Sequence, residues 1–287
     1  MPRDLPPPLE ERDLEELIDR AVAEDLGSGD ITCEAILPPG SWFSGVMAAR
    51  QPMIVAGLPA AAAIFKRFDS NCAVDCRRPD GDRVNAGDVI LSLKGSAAAL
   101  LSGERIALNL IQHLSGIATH TARFANAIAH TEAELLDTRK TIPGLRKLAK
   151  YATRLGGARN HRMGLHDGIL IKDNHIAVCG GVAEAVKRAK AKRFSGIEVE
   201  CDTLAQVREA TDAGADIVLL DNMTNDQLRE AVVLVAGRAK TEASGGVKLD
   251  TIAAIAETGV DFISVGAITQ SAPAVDIGLD WTAINDE

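Results

Sequence analysis

"GIEVECDTLAQVREATDAGADIVLLDN", residues 196–222, holds two short apolar runs separated by a helix-like stretch. The runs "GIEVEC" and "DIVLLDN" carry acidic residues at their ends, Glu200 and Asp221. The same unit recurs through the second half of the chain, where "ELLDT", "GILIK", "KTEAS" and "DFISVG" are further strand candidates with helix-like segments between them. Strands that alternate with helices build a parallel sheet. A doubly wound sheet and an α/β barrel both satisfy that pattern, and the positions of the polar residues separate them. Asp137, Lys172, Glu200, Asp221, Ser244 and Gly266 stand at or just beyond the carboxyl ends of the candidates, where α/β barrels assemble active sites from several strands. The expectation is a barrel, incomplete or with one or two strands hidden.

Between the first two strand candidates, "PGLRKLAKYATRLGG" (143–157) predicts a helix. Pro143 suits a first turn, apolar residues recur at 145, 148, 149, 152 and 155, and Gly156 and Gly157 end it. Arg146, Lys147, Lys150 and Arg154 are then expected on its solvated face. Nearer the N-terminus, "LEERDLEELIDRAVAEDLG" (9–27) places Leu14, Leu17, Ile18, Ala21 and Val22 on one helical face, stopped by Gly27. Residues 45–100 read as short strands such as "MIVAGL" and "DVILSL", with "PDGDRVNAGD" as turns, and residues 102–130 read as helix. The predicted organisation is an N-terminal α+β domain over residues 1–115 and a barrel over 116–270.

Composition narrows the function. Residues 137–175 hold nine Lys or Arg against three Asp, a local +6, so the rest of the chain carries −15 of the net −9. One basic stretch in an acidic body suits a small, highly charged anion and not an extended polyanion such as nucleic acid. Aromatic residues make up only 3%, too few for base-stacking platforms. Five cysteines without a C-x-x-C pair favour reduced, structural thiols in the cytoplasm. The first residues, "MPRDLPPPLEERDLEELIDR", lack an apolar signal core, and no long uncharged apolar run follows, so no membrane is expected.

The candidate chemistry gathers at strand ends. "DTRKT" supplies Arg139 and Lys140, "NHRMG" supplies His161 and Arg162, and Lys172 closes the second strand. Forked guanidiniums mixed with mobile ammonium groups fit a ligand bearing several anionic groups. Glu200 and Asp221 suit magnesium, ribose hydroxyls or a sugar developing positive charge. "EASGGV" and "VGAIT" put small residues after the last two strands, so backbone amides can approach a phosphate. The histidines lack zinc spacing; His113 and His120 fall in a helical stretch, and His161 is the better site candidate. Two readings of different chemistry remain open on these residues: a Schiff-base aldolase or decarboxylase using Lys172, and a phosphate-metabolite binding module that turns nothing over.

Taken in order, "EDLGSGDIT", "ERIALNLIQHLSGIAT", "DTRKTIPGLR", "GGARNHRMGLHDGILIKDNH", "LLDNM", "EASGGV" and "GVDFISVGAITQSAPAVDIGLDW" closely resemble quinolinate phosphoribosyltransferase, also called carboxylating nicotinate-nucleotide pyrophosphorylase. A phosphoribosyltransferase-like paralogue associated with molybdenum transport shares much of the barrel pattern. The resemblance implies a type II phosphoribosyltransferase-like fold, an incomplete α/β barrel of about seven strands whose C-terminal tail, 271–287, joins the N-terminal domain. It implies a homodimer with the active site at the subunit interface, where Arg105 comes from the neighbouring chain. By position, Arg105, Arg139, His161, Arg162 and Lys172 would bind quinolinate, and Lys140 would stand between it and phosphoribosyl pyrophosphate. Glu200 and Asp221 would face the ribose and Mg2+, and Ser244, Gly245, Gly246 and Gly266 would hold the 5-phosphate. The expected products are nicotinate mononucleotide, pyrophosphate and carbon dioxide.

Overall fold

A computed structural model describes residues 11–281. The chain divides into two compact units, one formed by residues up to His120 with Lys147–Gly156 and the segment from Ala272 onward, the other by Thr121–Arg146 and Gly157–Ser271.

The first unit opens with α1 (Glu11–Leu26), α2 (Ile31–Ile36), β1 (Trp42–Ala49), β2 (Met53–Ile54), α3 (Leu58–Phe68), β3 (Ala73–Cys76), β4 (Arg83–Val84), β5 (Val89–Ser96) and the long α4 (Ala97–Ala127), which runs on into the second unit. On α1 the predicted face is the covered one: Leu14 and Ile18 are buried, Leu17, Ala21 and Val22 half-buried, and Gly27 ends the helix at φ 52°. "MIVAGL" is strand only over Met53–Ile54. Gly57 turns the chain at φ 97° into α3, whose first N–H groups, from Gly57 and Leu58, donate to Asp80 at 2.7 and 3.0 Å. The capping acid comes from a turn 22 residues downstream, so the local pattern does not reveal it.

The barrel unit continues with β6 (Glu134–Leu136), α5 (Arg146–Gly156), β7 (Ile169–Ile171), α6 (Asp173–Cys179), α7 (Val182–Ala191), β8 (Ile197–Cys201), α8 (Leu204–Ala213), β9 (Ile217–Asp221), α9 (Asn225–Val235), β10 (Lys240–Ser244), α10 (Ile252–Ala256), β11 (Phe262–Ser264) and α11 (Ala267–Gln270). Within this run α5 clusters with the first unit. A final strand, β12 (Ile277–Trp281), also belongs to the first unit and pairs antiparallel with β1, giving a sheet ordered β12-β1-β5-β3.

All six predicted barrel strands form, in one parallel sheet ordered β6-β11-β10-β9-β8-β7. Arg159 adds a single parallel bridge to Leu136 on the free side of β6, so the seventh place is held by one residue and the barrel is incomplete. Alternation along each strand turns Val199, Val218, Leu220, Ala243 and Ile263 into the apolar core shared with the helices. The opposite set, including Glu200, Asp221 and Ser244, is left to face a cavity.

Two expectations for α5 fail. The helix begins at Arg146, because Pro143 and Gly144 form a turn in which Gly144 takes φ 84°. Its cations are not a solvated face: Lys150 is buried at 1% exposure, Arg154 is half-buried, and the exposed Lys147 binds Asp13 at 2.7 Å. The helix covers most of its surface, as Leu148, Ala149, Ala152, Thr153 and Leu155 are also buried. Among the described residues no helix is long and apolar enough to cross a membrane.

Candidate active site

Strand-end residues of β7 to β11 enclose a cavity of about 530 Å³. Lys172, Glu200, Asp221 and Ser244 line it from the strands, Arg139 and Lys140 from the turn after β6, His161 and Arg162 from the loop before β7, and Gly245, Gly246 and Gly266 from the turns after β10 and β11. Every predicted site residue except Arg105 therefore converges on one cavity. Arg105 lies on α4 in the first unit.

The cationic side of the cavity is held open by neighbours. Arg146 donates to the Thr141 hydroxyl at 3.1 Å and to the carbonyls of Met163 and Arg139 at 3.3 Å, tying the two basic loops together. Thr269 donates to the Lys140 carbonyl at 2.6 Å, and the Lys140 N–H donates to the Thr138 hydroxyl at 3.0 Å. Arg139 keeps a buried Nε without a hydrogen-bond partner. The Arg162 guanidinium, anchored to the Gly168 carbonyl at 2.9 Å, is pressed below its ordinary pKa, first by burial and then by the nearby charge of Arg139. Two crowded guanidiniums, one with a buried donor that has no hydrogen-bond partner, form a site suited to an anion.

Across the cavity Lys172 pairs with Glu200, whose side chain is only 15% exposed. Lys172 is thus held as a charge partner, which does not favour a free amine nucleophile. Asp221 accepts from the Asn222 side chain at 2.5 Å, and the Asn222 N–H donates to the Ser244 carbonyl at 2.9 Å. Asn222 itself takes φ 54° and Gly245 takes φ 91°. A β-carbon on Gly245 would stand 2.8 Å from the Asn222 nitrogen, so this turn requires glycine both for conformation and for room.

Below the strand ends lies a layer the sequence reading missed. Glu198 and Glu242 precede Glu200 and Ser244 by two residues and so share their face of the sheet. His161 Nε2 stands 3.0 Å from Glu198 Oε2 and 3.7 Å from Glu242 Oε2. Its Nδ1 accepts the Arg162 N–H at 2.7 Å, which leaves Nε2 to carry the proton toward the acids. Burial, then the Glu198 charge, raises the Glu242 pKa to about 8. The signal was the spacing itself, an acid on the inward face where a barrel interior ordinarily holds branched apolar residues. Asp137, buried at the end of β6, accepts from Asn160 Nδ2 at 2.6 Å and the His161 N–H at 2.8 Å, fixing the loop that carries His161.

The family described as "Quinolinate phosphoribosyl transferase, N-terminal domain" matches residues 30–115, and its C-terminal domain counterpart matches residues 117–280. A probable nicotinate-nucleotide pyrophosphorylase [carboxylating] of Bacillus subtilis is 45% identical over 279 residues, covering 95% of each chain. The nicotinate-nucleotide pyrophosphorylase [carboxylating] of Mycobacterium leprae is 43% identical and covers 92% of this chain and 95% of its own. Among solved structures, the nicotinate-nucleotide pyrophosphorylase from Francisella tularensis superposes with a TM-score of 0.93 at 40% identity, over 97% of this chain and 99% of that one. With both domains matched in order and relatives alike over nearly their whole length, the chain belongs to the quinolinate phosphoribosyltransferase family.

Proposed function

We propose that the cavity at the ends of β7 to β11 is where this decarboxylating quinolinate phosphoribosyltransferase transfers phosphoribosyl from phosphoribosyl pyrophosphate to quinolinate. The observation that carries this assignment is the orphaned Arg139 Nε beside the depressed Arg162 guanidinium, in the same cavity as the Gly245–Gly246 turn. Arg139, Arg162 and Lys172 hold the two substrate carboxylates, with His161 supporting Arg162 from behind through its Nδ1. Lys140 reaches over Gly266, whose β-carbon position lies 3.0 Å from Lys140 Cδ, and so faces the donor sugar. Ser244, Gly245, Gly246 and Gly266 offer hydroxyl and backbone donors to the 5-phosphate.

The pyridine nitrogen attacks the anomeric carbon while pyrophosphate departs. Positive charge grows on the sugar, and the Glu200 and Asp221 carboxylates stabilise it electrostatically. Two carboxylates facing one cavity also suit a hard cation, and magnesium entering with the pyrophosphate would offset charge on that leaving group. The quaternised nitrogen then stabilises an electron pair on the adjacent ring carbon, and the carboxylate there leaves as carbon dioxide. Nicotinate mononucleotide remains, a step toward NAD. Arg105 is supplied by the partner in a homodimer, and the five unpaired cysteines suit a cytoplasmic setting.

The test incubates the purified chain with quinolinate, phosphoribosyl pyrophosphate and magnesium, against nicotinate as control. Nicotinate mononucleotide and carbon dioxide from quinolinate alone are expected. Binding without pyrophosphate release would leave a metabolite-binding module instead.

A further inference from the structure

The floor of the cavity carries an acid that phosphoribosyl transfer does not use. Glu242 is 1% exposed on β10, lines the same cavity as Ser244, and keeps one carboxyl oxygen, Oε1, without a hydrogen-bond partner. Its titratable neighbours are Glu198 from β8 and His161 from the loop before β7, while Ser264 from β11 hydrogen-bonds to it. β9 and β7 contribute only Leu219 and Leu170 beside their strand-end Asp221 and Lys172, and Glu200, Arg139, Lys140 and Arg162 complete the charged lining. Because His161 directs its Nε2 proton at Glu198, that carboxylate already has a partner 3.0 Å away, and Glu242, 3.7 Å off, is the less well compensated of the two acids. Two fully charged carboxylates do not stay buried side by side, so the second keeps its proton.

We propose that Glu242 is the general acid that protonates the ring carbon from which carbon dioxide departs. The proposal rests on the reaction assigned above. When the carbon–carboxylate bond breaks, its electron pair stays on the ring carbon beside the quaternised nitrogen. The Glu242 O–H bond breaks in the same step: its proton takes up that pair to form the new C–H bond as carbon dioxide departs, and its own electron pair stays on the Glu242 oxygen, so carbon dioxide release itself depends on the acid. The carboxylate so formed lies beside Glu198 in a buried site and takes a proton back from water as product leaves. An acid with a pKa of about 8 keeps its proton at neutral pH yet gives it readily to a far more basic carbanion.

The experiment is single-turnover kinetics of Glu242→Gln with quinolinate, phosphoribosyl pyrophosphate and magnesium, following pyrophosphate and carbon dioxide separately. The expected result is prompt pyrophosphate release with carbon dioxide release slowed about a hundredfold, the range of a lost general acid. Phosphoribosylated quinolinate should accumulate on the enzyme, and Glu242→Asp should recover part of the rate. Equal slowing of both products, or of neither, overturns the proposal. Should Glu242→Gln fail to fold, Glu198→Gln serves instead: removing that charge should move the alkaline limb of native turnover to lower pH, and an unmoved limb overturns the idea. Stoichiometric divalent metal in the native chain, lost in either variant, would make the His161–Glu198–Glu242 group a metal site and overturn it too. A native chain that releases no pyrophosphate at all fails one step earlier, and the assigned reaction falls together with the inference.

Discussion

Arg162 is depressed first by burial and then by the charge of the neighbouring Arg139, whose own Nε is buried without a hydrogen-bond partner. A substrate carboxylate relieves both costs, so each charge-assisted hydrogen bond should contribute about 1.5–3 kcal/mol. Arg139→Ala is therefore expected to raise the quinolinate KM about tenfold to a hundredfold with its melting temperature unchanged. Arg162→Ala should do the same with a small loss of stability, because the side chain also anchors the Gly168 carbonyl. Unchanged steady-state kinetics in both would remove them from the site. These strand-end cations were legible in the sequence because like charges crowd into one window of an acidic chain. Glu198 and Glu242 were not, since an acid inside a strand reads as solvent-facing until the barrel shows that its inner face is closed. Glu242 also makes a stability prediction with a definite sign. Its folded pKa of about 8 lies above the ordinary 4.5, so its contribution favours folding fully below that lower value and is lost as pH rises toward 8. Chemical denaturation of Glu242→Gln against the native chain should show the variant gaining relative stability across that interval, and a flat difference would mean the acid is not buried as a neutral group.

At the scale of elements, the turn after β10 has the least freedom. Gly245 occupies a left-handed conformation that an L-residue enters at a cost of about 1–2 kcal/mol, and its β-carbon position is already filled by Asn222. Gly245→Ala should raise the KM for phosphoribosyl pyrophosphate about tenfold or more while leaving quinolinate binding, measured alone, within about twofold. Parallel losses for both substrates would assign the glycine to folding and not to the phosphate. Strand runs whose apolar residues meet helices on one side and polar residues on the other were readable from periodicity, and all six formed. The seventh place was not readable, because Arg159 holds it by one bridge between a buried Ala158 and the half-buried Asn160, with no run to detect. The start of α5 was misplaced for a different reason: Pro143 suits a helix start and a turn equally, and Gly144 at φ 84° decides for the turn. The cap of α3 depends on Asp80, which also accepts from the Tyr151 hydroxyl at 2.8 Å, and burial raises its pKa. Asp80→Ala should cost about 1–3 kcal/mol in unfolding experiments by orphaning the Gly57 and Leu58 N–H groups together with that hydroxyl.

For the molecule as a whole, the cation-rich window is less uniform than its +6 suggests. Lys147 is neutralised by Asp13, Lys172 is paired with Glu200 and Lys150 is buried, while Arg139, Lys140 and Arg162 face the cavity, so the field available to draw in anions comes from the two loops that flank the strand ends. Arg105 is the predicted ligand residue outside that cavity, standing on α4 in the first unit. If a second copy supplies it, neither chain is complete alone, and the proposed homodimer becomes a requirement of catalysis. Mixing Arg105→Ala chains with Lys140→Ala chains tests this directly. In a hybrid dimer, the cavity that keeps Lys140 receives an intact Arg105 from its partner, and the other cavity lacks both groups. With random pairing, half of the dimers are hybrids and each holds one complete site, so about a quarter of native activity should return from two chains that are each inactive alone. An Arg105 that serves its own chain restores nothing on mixing, because every cavity then lacks one group or the other.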